Sequence, residues 1–137
     1  MSEQVTLTPP GGRDETVIRS IAVGGNGVGR LPDGMTVFVP RTAPGDRVTL
    51  TSVVRKRRFA TARIHRLIEA GRGRQEPPCP HYVADSCGAC QLMHLDQPTQ
   101  LAAKGAMVGD TLRRIGRLDI PDPAVEPTAS PLGYRNK

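Results

Sequence analysis

Three cysteines fall in one stretch, "CPHYVADSCGACQLMHL", Cys79 to Leu95, spaced C-x7-C-x2-C and accompanied by His81 and His94. Soft thiolates gathered in one segment point to a metal, and thiolate-built sites commonly use four ligands. Two completions meet that count. A Cys3His zinc site would add His81 or His94 to Cys79, Cys87 and Cys90. An iron–sulfur cluster would use the same three cysteines and take its last iron ligand from outside the segment. A radical centre with an open iron normally has C-x3-C-x2-C, which the longer first gap does not match. Three unconnected buried thiols are a poorer reading, because Pro80 and Gly88 shape the segment and Cys87 and Cys90 lie close in sequence.

The second group of chemical interest is cationic. The chain carries 19 Lys and Arg against 13 Asp and Glu, a formal charge of +6 over 137 residues. Such an excess makes a polyanion the leading partner class. The cations concentrate in "RKRRF", where Arg55, Lys56, Arg57 and Arg58 precede Phe59, and continue through Arg63, Arg66, Arg72 and Arg74. This spacing suits a hairpin that tracks an RNA phosphate backbone. Phe59 is expected in the core of the β-rich region, in preference to a role in stacking on a base. The run "GGNGVGR" lacks the strand-to-helix setting of a dinucleotide loop and has no Gly-Lys-Ser/Thr, so a glycine-rich β-connection is expected there.

These groups need a scaffold, and the patterning supplies a mainly β one. "TVIRSIAV" (16–23), "MTVFVP" (35–40), "DRVTLTSVVR" (46–55) and "FATARIHRLI" (59–68) read as strands separated by Gly, Pro and Asp turns. They suit a small OB-like β-barrel of the sort many nucleic-acid binders use. Residues 1–15 read as a flexible tail, 16–71 as the barrel, and 72–95 as a linker with the cysteine loop. A helix is expected over 96–117, capped by Asp96 with Pro98 in its first turn. Its stripe of Leu101, Val108, Leu112 and Ile115 should pack on the barrel, while Gly105 and Gly109 weaken it. Residues 118–137 form a Pro-rich connector that leads towards a region not included in the chain. No segment is apolar enough to cross a bilayer, and the N-terminus does not read as a secretory signal. A cytoplasmic monomer is the expectation.

The order of these features resembles the N-terminal region of bacterial RNA (uracil-5-)-methyltransferases. "GGNGVGR" and "VFVPRTAPGDRV" come first, then "CP" and "CGAC" with "QLMHL", then a helix ending "LRRIG", then "GYRNK". The first cysteine gap is longer than the family commonly shows, and Ala89 stands where "CGGC" has a glycine. The resemblance implies an RNA-binding TRAM domain at 16–71. It also implies a [4Fe-4S] cluster on Cys79, Cys87 and Cys90, with a fourth cysteine beyond Lys137. Further implications are rRNA or tRNA as partner, and an S-adenosylmethionine site, with the nucleophile that forms 5-methyluridine, in a catalytic domain outside this sequence. No residue here is assigned a catalytic role. The competing reading is a self-contained zinc-binding RNA adaptor using His81 or His94.

Overall fold

The computed structural model describes residues 14–133. The N-terminal tail expectation therefore falls outside the described residues except at Asp14 and Glu15, and so does the final "YRNK". Six strands form one mixed sheet: β1 (Glu15–Val17), β2 (Ser20–Ile21), β3 (Gly27–Arg30), β4 (Thr36–Val39), β5 (Arg47–Arg55) and β6 (Phe59–Glu69). Their order is β1-β5-β6-β4-β3-β2, antiparallel throughout except for the parallel pair β4 and β6. The end strands β1 and β2 are neighbours in sequence, so one run of chain supplies both edges of the sheet. Between them the Ile18 amide donates to the Asp46 carbonyl at 2.9 Å and the Arg19 amide to the Val28 carbonyl at 2.8 Å. The Thr16 hydroxyl adds a 2.8 Å bond to the Arg30 carbonyl. The sheet thus curls around its apolar face, which limits the bare edge that such short strands would otherwise leave.

The core follows from the period of two along each strand. Val37 and Val39 of β4, Val48 and Leu50 of β5, and Ala60 and Ala62 of β6 point inward with Ile18, Leu31 and Val53. Neither Phe38 nor Phe59 is among them. Both occupy the alternate positions and lie half-buried on the outer face, a correction to the expectation for Phe59. The ladder between β5 and β6 is interrupted by register shifts, one of them at Ser52, whose φ is +52°. Such a bulge changes which face the following residues occupy.

The glycine-rich run holds strand β3, where only a connection was expected. A Cβ on Gly27 would stand 1.8 Å from Thr42 Oγ1 and 2.9 Å from Ile18 Cγ2. One on Gly29 would stand 2.6 Å from Thr16 Oγ1. Glycine is needed at these two strand positions because the neighbouring chain comes so close.

Two helices follow, α1 (Pro80–Ala84) and α2 (Gln97–Arg114). Asp96 caps α2 as the sequence indicated, accepting from the Thr99 amide at 2.9 Å, and this bonding lowers its pKa. The expected apolar stripe is not the packed face. Val108 and Ile115 remain exposed, whereas Ala103 is buried with Ile21, Ala43 and Leu95. Gly105 and Gly109 are buried because the connector lies directly against them; Cβ atoms there would meet the Pro123 carbonyl at 2.6 Å and Asp122 Oδ1 at 2.1 Å. Arg113 fixes the return by donating to the Ile120 carbonyl at 3.0 Å and to Asp122 at 2.7 Å.

Gly27→Ala should lower unfolding stability by about 1–3 kcal/mol through overpacking. Gly34→Ala has open space around it and meets only the cost of its positive φ, about 1 kcal/mol. Urea melts of the two variants should rank in that order.

Candidate functional site

The basic residues converge on the β5–β6 hairpin. Strand β5 ends at Arg55, β6 begins at Phe59, and the Lys56 amide donates to the Phe59 carbonyl at 2.8 Å to close the tip. Lys56, Arg57 and Arg58 are exposed at that tip. Arg63 is exposed farther along β6, sharing the outward parity of Phe59 and Thr61. None of these four enters an ion pair among the described residues. Arg55 differs. It pairs with Ala60, a core position, so its side chain turns to the inner side of the sheet's end and meets Asp33 Oδ2 at 2.5 Å. The Asp33 carboxyl is held below its ordinary pKa, chiefly by the Met35 amide and also by Arg55. Its guanidinium is thus already partnered. Arg74 is withdrawn further, bound to the buried Asp46 carboxylate at 2.7 Å.

The parallel pairing of β4 with β6 brings the only two phenylalanines together. Phe38 and Phe59 meet edge to face, with centroids 5.5 Å apart and planes at 75°. The Lys56 ammonium lies 5.7 Å from the Phe59 centroid.

The cysteine loop sits elsewhere, against the turn after β4. Arg74 pairs with Leu95 in an isolated antiparallel bridge, and the Gln75 amide donates to the His94 carbonyl at 2.8 Å, so the segment after β6 is stitched to the end of the loop. Arg41, at φ +59°, reaches into the loop. Its guanidinium covers the Tyr82 ring at 3.9 Å and donates to the carbonyls of Tyr82 and Cys87, the latter at 3.0 Å. The sequence offered little sign of this, since Arg41 stands alone in a Pro and Gly turn.

Cys79 immediately precedes α1, Cys87 lies in the loop after it, and Cys90 is exposed; all three thiols are free. Three soft, partly accessible donors suit a thiolate-held group. Among the described residues no three Cys, His, Asp or Glu side chains converge into a ready ligand set, so Cys79, Cys87 and Cys90 must draw together to hold one. His94 cannot contribute. It is 1% exposed, with Nε2 2.8 Å from the Thr42 carbonyl and Nδ1 2.7 Å from the Tyr82 hydroxyl. A carbonyl only accepts, so Nε2 carries the proton and Nδ1 accepts from the phenol. Both ring nitrogens are used, which removes His94 from the zinc reading. His81 is exposed, with Nδ1 bonded to Asp85.

Burial is the main cause holding the His94 pKa below its ordinary value. The unfolded chain takes up its proton near pH 6.5, while folded His94 does so only at lower pH. The resulting stability is complete above about pH 6.5 and falls as pH drops through that value towards the folded pKa. Wild type should therefore lose stability between pH 7 and 5 more steeply than His94→Gln, as measured by urea melts at each pH.

Two further facts bear on function. Among the described residues no helix is long and apolar enough to cross a membrane. No family model matches the chain. It is nevertheless 44% identical over 126 residues, 90% of its length, to an uncharacterized RNA methyltransferase of Nostoc sp. (strain PCC 7120), 26% of which is covered. Similar proteins of Protochlamydia amoebophila and Gloeobacter violaceus, both also described as uncharacterized RNA methyltransferases, are each 40% identical over 88% of the chain and 26% of their own length. The chain thus spans about a quarter of these relatives and is homologous to their N-terminal part.

Proposed function

We propose that this chain is the RNA-binding and cluster-holding part of an S-adenosylmethionine-dependent RNA (uracil-5-)-methyltransferase that forms 5-methyluridine in rRNA or tRNA. The observation that carries the reading is the identity of 44% with an RNA methyltransferase over nearly the whole chain. The curled sheet is then a TRAM domain whose hairpin cations hold the phosphate backbone. Catalysis belongs to parts of the enzyme outside this sequence.

In this reading Cys79, Cys87 and Cys90 would hold a [4Fe-4S] cluster, with a further cysteine from outside the chain. When bound, the cluster supplies a rigid cross-link between the loop and the rest of the enzyme. Arg41 presents positive charge to the same loop and ties down two of its carbonyls. The zinc adaptor is the weaker alternative because His94 is unavailable, leaving His81 as its histidine.

Phosphate contacts release counterions, so their loss appears in the salt dependence of binding. Changing Lys56, Arg57 and Arg58 together to Ala should weaken binding of single-stranded RNA and reduce the slope of log K against log salt by about 2. Arg55→Ala should leave the slope nearly unchanged, since Arg55 is engaged by Asp33. Fluorescence anisotropy at several salt concentrations measures both. An unaltered slope in the triple variant would remove the hairpin tip from the RNA contact.

A further inference from the structure

Phe38 and Phe59 are the feature that neither the core nor the phosphate contacts account for. On a curled sheet whose interior is filled by Val, Leu, Ile and Ala, the two largest apolar side chains stand outside. They are joined by register: Phe38 faces Thr61 across β4 and β6, and Thr36 faces Phe59. The result is a half-buried aromatic pair framed by threonines, with Val28 beside Phe38 on β3. The Lys56 ammonium lies over the Phe59 ring, 5.7 Å from its centroid, and Arg57 and Arg58 occupy the adjoining tip. Arg63 shares the outward parity of Phe59 farther along the strand.

We propose that this pair is a stacking platform for an unpaired base of RNA. The inference rests on the RNA-binding reading above and adds which part of the nucleic acid meets which residues. Base faces stack on aromatic rings whatever the sequence, while nearby cations take the phosphates. Aromatic rings beside cations that enter no ion pair among the described residues match that pairing of needs. A duplex buries its base faces and offers only phosphate and sugar, so it would engage the cations without the rings. The platform therefore selects single-stranded or looped RNA over a duplex. Charge complementarity also separates this occupant from a second copy of the chain, whose matching surface would carry the same four cations.

The test compares the wild-type chain with Phe38→Leu/Phe59→Leu, which keeps apolar bulk, and with Phe38→Tyr/Phe59→Tyr, which keeps the rings. Probes are a single-stranded RNA of about 10 nucleotides, within the span of small β-barrel binders, and a duplex of the same sequence. The Leu variant should bind the single strand about 10-fold more weakly with an unchanged salt slope, and the duplex as wild type does. The Tyr variant should retain single-strand binding. In wild type, photo-cross-linking of a 5-bromouridine-substituted strand should place adducts on Phe38 or Phe59, a readout independent of variant folding. Equal single-strand affinity in the Leu variant, or adducts confined to other residues, would overturn the platform while leaving RNA binding intact. Concentration-dependent self-association lost in the Leu variant would assign the pair to a second copy instead. Failure of wild type to bind either RNA would overturn the RNA-binding reading and this inference together.

Discussion

The Asp46 carboxylate is fully buried, and the chain on three sides of it is arranged to keep it bonded. It accepts from the Ala43 amide at 2.8 Å, from the Gly71 amide at 2.7 Å, and from Arg74. An uncompensated charge in such a place is costly, and removing one partner of a buried pair typically costs about 3–5 kcal/mol. The three donors come from the turn before β5, the exit of β6 and the segment leading to the cysteine loop. Gly71 is part of this closure, because a Cβ there would stand 2.1 Å from the Pro44 carbonyl. Arg74 also donates to the Arg41 carbonyl at 2.8 Å, which ties the residue that grips the cysteine loop to the same centre.

This arrangement separates two kinds of chemistry on one small scaffold. The hairpin tip and the outer face of β4 and β6 present exposed cations and an aromatic pair. The cysteine loop is fastened against the turn after β4 by His94, Tyr82 and Arg41, and by a second apolar cluster of Ile21, Ala43, Leu95 and Ala103. Arginine serves both regions in different ways. Arg57 and Arg58 extend into solvent, whereas Arg74 and Arg41 are spent on internal carboxylate and carbonyl oxygens.

The sequence disclosed the features governed by local rules. The positions of β4, β5 and β6 and the Asp96 cap follow from period and capping, whereas the single strand expected over 16–23 is broken into β1 and β2 at opposite edges of the sheet. It was less informative where tertiary packing decides. "GGNGVGR" carries the composition of a turn, yet Gly27 and Gly29 lie in a strand because Thr42, Ile18 and Thr16 approach too closely for a side chain. The helix stripe was misread because α2 packs through Ala103, Gly105 and Gly109, small residues that hydrophobic periodicity underweights. Phe59 follows a strand parity that an irregular hairpin obscures. Among the candidate RNA-binding residues, Arg55 was indistinguishable from Arg57 until its register opposite Ala60 was known.

The reading proposed for the cysteine loop is that Cys79, Cys87 and Cys90 hold an iron–sulfur group, next to a sheet proposed to bind RNA. Iron, inorganic sulfide and zinc analysis of protein isolated without oxygen tests it most directly. The account predicts iron with a comparable amount of sulfide in wild type and loss of both in Cys87→Ser. One equivalent of zinc without sulfide, or iron and sulfide retained in Cys87→Ser, would contradict it.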